Sequence, residues 1–176
     1  MLDILAISGS LRAASTNSAL IAAMARNAPP GCRVTVHDRL GHLPIFNPDE
    51  EAERTPQAAS ALIDAVTRAD GVIISCPEYA HGVPGGLKNG LDWLVSRDAA
   101  VAKPAMLVHA SPRSLFARAA LTEIMRTMSF ALYDGVLEIA LLGRKSPEVE
   151  AILAEPANVL AMGNALSAFA DFIRTR

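Results

Sequence analysis

The sequence is poor in cysteine, in aromatic residues and in charge, and each shortage removes a class of protein. Two cysteines, Cys32 and Cys76, in 176 residues cannot build a disulfide scaffold and are too few for a structural zinc site. The four histidines, His37, His42, His81 and His109, fall at no metal-ligand spacing, and no HExxH pair occurs, so no metal centre is expected. Lys and Arg number 16 against 18 Asp and Glu, a net charge of −2, which leaves no broad basic surface for nucleic acid. No apolar run reaches membrane-spanning length, and no charged stretch precedes a short apolar one at the start. The expectation is a cytoplasmic protein without a membrane partner.

What is present is apolar. Hydrophobic residues make up 51% of the chain and charged residues 19%, which favours a packed core over disorder. The length suits one domain, residues 1–176. Short apolar runs at Leu2–Ser8, Val34–Val36, Gly71–Cys76, Ala105–Ala110 and Val136–Leu142 read as buried strands. Helical spacing separates them: Ala19–Arg26, Pro56–Arg68, then Leu87, Leu91 and Leu94, then Leu121, Ile124, Met125 and Met128. A last stripe, Val159, Met162, Leu166, Phe169 and Ile173, follows Pro156, a residue suited to a first helical turn. Strands alternating with helices call for right-handed βαβ units. The expected architecture is an α/β three-layer sandwich on a parallel five-stranded sheet of order 2-1-3-4-5, with ligands at the carboxyl ends of the strands. The irregular stretch Arg39–Thr55 is long enough to suggest a functional loop.

Two loops carry the chemistry. The first, Ser8–Ser18, joins the first strand to the first helix, where backbone amides and the positive end of a helix dipole converge. The hydroxyls of Ser10, Ser15, Thr16 and Ser18, the Asn17 amide and the Arg12 guanidinium can all donate to phosphate oxygens. The Gly-Lys-Ser/Thr ending of a nucleoside-triphosphate loop is absent, and only Gly9 of the dinucleotide glycines is present. A single terminal monophosphate, of the kind FMN carries, fits better. The same Ser15–Ser18 residues also serve simply as a helix cap and turn. The second loop follows the third strand. Pro77 and Pro84 stiffen it, and Gly82, Gly85 and Gly86 allow close approach of a ligand. Tyr79 can cover a ring or merely pack, Trp93 reads as core, and His81 reads as exposed surface. Glu78 reads as a structural or interface ion pair rather than a base.

Together these segments resemble the NADPH-dependent FMN reductase family, which includes bacterial quinone, azo-dye and chromate reductases. The resemblance rests on Gly9-Ser10-Leu11-Arg12 with Ser15-Thr16-Asn17, on Leu43–Asp49, on Pro77-Glu78-Tyr79 and on Pro84–Trp93. It implies a flavodoxin-like fold, bound FMN, NADPH or NADH as electron donor, a small-molecule acceptor, and homodimers or homotetramers. By position, Ser10, Arg12, Ser15, Asn17 and Ser18 would hold the phosphate, while Pro77, Glu78, Tyr79, Ala80 and Gly82 would border the ring. Ser111 matches the family's serine after the fourth strand, but Leu115-Phe116 replaces the glycine pair that follows it. No side-chain acid or base is required for hydride transfer to a flavin. An FMN-binding electron carrier without NAD(P)H turnover is the alternative reading.

Overall fold

The computed structural model describes residues 1–95 and 97–176. Its strands are β1 (Leu2–Ser8), β2 (Cys32–His37), β3 (Gly71–Ser75), β4 (Pro104–His109), β5 (Ala131–Leu132) and β6 (Leu137–Glu138). Its helices are α1 (Thr16–Arg26), α2 (Gln57–Arg68), α3 (Gly85–Val95), α4 (Leu115–Thr127), α5 (Ser146–Leu153) and α6 (Pro156–Arg174). The sheet is parallel, with order β2-β1-β3-β4-β5, and β6 also pairs with β4. This is the 2-1-3-4-5 arrangement of a flavodoxin-like fold.

Alternation along β1 divides the core. Leu5 and Ile7 face a layer containing Leu62 and Val66 of α2, Leu87 and Leu91 of α3, and Leu121 and Met125 of α4. Ile4 and Ala6 face the opposite layer, with Leu20, Ile21 and Met24 of α1, Val149 and Leu153 of α5, and Met162, Leu166 and Phe169 of α6. Both faces of the sheet are therefore covered, which is why its strands are apolar throughout rather than alternating with polar residues.

One expectation needs correction. The fifth strand is not one segment over 136–142. Ala131–Leu132 pairs with the start of β4 and Leu137–Glu138 with its end, separated by residues 133–136, which form no regular element. The Ile139 and Leu141 amides still donate to the His109 and Ala110 carbonyls at 2.9 and 3.0 Å, so the chain follows β4 without regular pairing. The stretch Arg39–Thr55 contains three single 3-10 turns and is pinned to α3. The Asn89 amide and the Trp93 indole N–H both donate to the Pro44 carbonyl at 2.9 Å, and the Asn89 Oδ1 accepts from the Phe46 amide at 2.8 Å.

Buried His109 ends β4. Its pKa is pushed down to about 4 by desolvation and by the Arg118 charge, against the opposing pull of Glu138. Above an ordinary value of 6.5 the imidazole is neutral in both states and the shift contributes nothing. Below it, the unfolded chain takes up a proton that the folded chain refuses. Stability should therefore fall as pH drops from 6.5 towards about 4. The expected loss between about pH 7 and pH 5 is of order 2 kcal/mol. Urea unfolding at the two pH values measures it, and His109→Gln should remove most of the difference. An equal slope in both proteins would assign the acid sensitivity elsewhere.

Candidate functional site

The register pairs Ser8 with Ser75, so β1 and β3 deliver their following loops side by side. The Gly9 amide donates to the Ser75 carbonyl at 2.8 Å, and the Ser75 hydroxyl donates to Asn17 Oδ1 at 2.8 Å. A Cβ on Gly9 would lie 2.9 Å from Leu87 Cδ2 and 3.2 Å from Pro77 Cδ. Glycine here lets the first loop pass directly against the second.

Within the first loop, Ser8 Oγ accepts from the Ser10 amide at 3.2 Å and from the Ser18 hydroxyl at 2.9 Å. Ser15 has extended backbone (φ −93°, ψ 126°) and caps α1, its hydroxyl accepting from the Ser18 amide at 3.2 Å. The first intrahelical bond runs from the Ala19 amide to the Ser15 carbonyl. The Thr16 and Asn17 amides precede it and so have no acceptor within the helix. Sequence alone allowed either a cap or a phosphate cradle; the geometry provides both, because the cap leaves these amides unspent.

The second loop contains a two-residue hairpin. Tyr79 and Gly82 exchange backbone hydrogen bonds at 3.1 and 3.0 Å, and the central residues Ala80 and His81 have φ of +49° and +58°. Positive φ at both central positions is the turn pattern that normally selects Asn-Gly, so this hairpin stores strain of order 1–3 kcal/mol per residue. His81 stacks on Phe116 of α4, ring centroids 4.5 Å apart. Glu78 Oε2 accepts from the Ala117 amide at 3.0 Å. Glu78 thus caps α4 from outside it and makes no ion pair among the described residues. The Tyr79 and Ser10 hydroxyls lie 3.3 Å apart, joining the two loops.

A cleft of about 520 Å³ opens between the loops. Ser10, Arg12, Ser15, Thr16 and Asn17 line it from one side, Pro77, Glu78 and Tyr79 from another, and Ser111 from the end of β4. Nine of the residues singled out from sequence therefore meet in one place. Three do not line it: Ser18 turns inward to Ser8, and Ala80 and Gly82 belong to the hairpin tip beside it. Sequence reasoning missed Arg113 and Ser114 after β4, and Leu142, Gly143 and Arg144 beyond the last strand. Their one available signal was position, since both segments follow carboxyl ends of strands, where ligands gather in such sheets. Among the described residues none of 39–55 lines this cleft; Leu40, Gly41 and His42 border a second depression that shares Ser10 and Arg12 with it.

Cys76 adjoins the site without taking part in its chemistry. Burial, with a smaller contribution from Glu78, pushes its thiol up to about 12, and it donates to the Pro77 carbonyl at 3.2 Å. A thiol so held is not a nucleophile at neutral pH. Among the described residues no group of three or more His, Cys, Asp or Glu side chains could hold a metal ion. No helix among them is long and apolar enough to cross a membrane.

Comparison with known proteins follows the same lines. A sequence model of the family described as NADPH-dependent FMN reductase matches residues 2–136. The quinone reductase of Escherichia coli (strain K12) is 36% identical over 94 residues, covering 53% of this chain and 50% of that protein. An NAD(P)H-dependent FMN reductase of Pseudomonas aeruginosa is 36% identical over 92 residues, covering 52% and 49%. The matches thus span about half the length of these curated relatives. Among solved structures, the flavoenzyme NAD(P)H:(acceptor) oxidoreductase FerB from Paracoccus denitrificans superposes with a TM-score of 0.81 over 99% of this chain and 98% of its own, at 23% identity. At that identity the likeness speaks for the fold.

Proposed function

The chain belongs to the NADPH-dependent FMN reductase family, and from that premise we propose that it is an FMN-dependent oxidoreductase taking electrons from NADPH or NADH and passing them to a quinone, azo compound, second flavin or metal oxyanion. The observation that carries this reading is the meeting, in one cleft, of a hydroxyl-rich helix start and a stiff Pro/Gly-rich loop.

The residues suit FMN in both halves. The Thr16 and Asn17 amides, the Ser10 and Ser15 hydroxyls and the Arg12 guanidinium provide donors for one monophosphate at the positive end of α1. Pro77, Tyr79 and Ser111 offer a wall and polar edges to a flat ring. Bound there, FMN would supply a ring that accepts hydride and returns electrons to an acceptor. The protein's part is placement and electrostatics. Among the described residues Glu78 is the one carboxylate lining the cleft, and the guanidiniums of Arg12, Arg113 and Arg144 outnumber it, so the charge balance favours anionic ligands. No lining side chain is placed as a general base, in keeping with chemistry that needs none.

The reading extends to a cytoplasmic protein working as a single FMN-binding unit over residues 1–176. It also includes a homodimer or homotetramer, supported by the exposed Leu11, Tyr79, Leu115 and Phe116 around the two loops. The test is anaerobic titration of the FMN-loaded protein with NADPH and with NADH. Bleaching at the flavin absorbance maximum, reversed by added quinone, is expected. Stable FMN binding with no bleaching by either donor would leave an electron carrier instead.

A further inference from the structure

We propose that Arg113 and Arg144 form a second oxyanion subsite, separate from the monophosphate loop, which grips a phosphate or carboxylate group on the molecule that exchanges electrons with the flavin. This rests on the functional reading above and adds to it the class of group recognised and the residues that recognise it.

Both arginines line the main cleft, and both also line an adjoining depression of about 290 Å³ with Pro112, Ala140 and Leu142. None of the residues Ser8–Ser18 borders that depression. It is reached from the flavin cleft but lies outside the phosphate cradle.

Each arginine is held at its backbone and free at its head. The Arg113 amide donates to Ser111 Oγ at 3.1 Å, while Arg118 donates to the Ser111 carbonyl at 2.5 Å. The Arg144 amide donates to the Leu141 carbonyl at 3.2 Å, closing a turn in which Gly143 has φ +81°. Neither guanidinium has a hydrogen-bond or ion-pair partner among the described residues. The surrounding carboxylates are turned to other donors. Glu138 pairs with Arg118, Glu148 accepts from the Lys145 amide at 3.0 Å, and Glu78 accepts from the Ala117 amide at 3.0 Å. Two exposed guanidinium forks on fixed turns, with no counter-charge paired to them among the described residues, match a planar or tetrahedral oxyanion. A monophosphate held by α1 and Arg12 does not account for them.

Two sources of such a group suit the reaction: the 2′-phosphate of a phosphorylated nicotinamide dinucleotide, or the carboxylate of an aromatic acceptor. Calorimetric titration of the FMN-loaded protein separates them, because FMN already fills the first phosphate site. The probes are adenosine 2′,5′-bisphosphate against AMP, and benzoate against benzamide. The variants are Arg113→Gln, Arg144→Gln and the double variant. The double variant should lose about 10-fold or more in affinity for the preferred anion at low salt, with FMN retained. A preference for the bisphosphate that disappears in the variant assigns the subsite to the donor, and a benzoate preference that disappears assigns it to the acceptor. Unchanged affinity for both probes overturns the proposal. So does release of FMN by the variant, which would return the arginines to the first phosphate site. A parent protein that retains no FMN, measured before any variant, removes the functional reading and this one together.

Discussion

Replacing Arg12 by alanine should leave the fold intact and weaken FMN binding about 10- to 100-fold, with riboflavin binding unchanged. Arg12 is exposed, and its side chain has no partner among the described residues. Its backbone amide donates to Ser10 Oγ at 3.4 Å, a bond that alanine keeps. Nothing among the described residues therefore depends on the guanidinium, and the change acts on the ligand. A phosphate monoester carries close to two negative charges near neutral pH, and a charge-assisted bond to it is worth roughly 1.5–3 kcal/mol before solvent screening. Exposure and salt reduce that figure, which sets the lower end of the range. Riboflavin lacks the phosphate and supplies the control. Fluorescence quenching of both flavins by apoprotein measures the two affinities. Equal weakening of FMN and riboflavin would place Arg12 against the ring, and no change in either would remove it from the site. Ser15→Ala makes a useful contrast, since it also removes the α1 cap and should cost about 1 kcal/mol of stability as well.

The contrast between Arg12 and Arg144 explains how far the sequence could be read. The phosphate loop is legible because its donors are consecutive and local: a strand ends at Ser8, a helix begins at Thr16, and whatever lies between must face the carboxyl edge of the sheet. Arg113 and Arg144 join the same cleft only through tertiary placement, each set by a turn whose direction no local pattern declares. Glu78 is similar. Its acidity suggests an ion pair, but its partner is the α4 amide of Ala117, 39 residues away. In the fold, β1, β3 and β4 are plain because both of their faces are buried, giving unbroken apolar runs. The fifth position is blurred for a related reason. Ile139 and Leu141 are buried against α5 and α6, so apolarity continues past the residues that actually pair. Helix α5 escapes a periodicity reading because eight residues give too few turns for a stripe, although Pro147 and Glu148 in its first turn are starting signals.

Trp93→Ala should lower stability by about 3–5 kcal/mol, a large share of what a domain of this size possesses. The side chain is 1% exposed in the last turn of α3. It contributes three separable things: buried volume, an indole N–H donated to the Pro44 carbonyl, and an edge-to-face contact with Phe46 at 5.0 Å. Trp93→Phe keeps much of the volume and a ring for Phe46 but abandons the hydrogen bond. Pro44 retains the Asn89 donor, so its carbonyl is not orphaned, and this variant should lose only about 1–2 kcal/mol. Denaturant unfolding followed by circular dichroism compares the two, since Trp93 is the single tryptophan and its fluorescence is lost in both. The loop itself gives a second readout. Phe46 and Pro44 are tied to α3 through Asn89 and Trp93, while the neighbouring Ile45 is 82% exposed. Removing the indole should speed protease cleavage near Ile45 in the alanine variant well before global unfolding. Cleavage no faster than in the parent protein would mean that Asn89 alone anchors the segment and that Trp93 acts only as core.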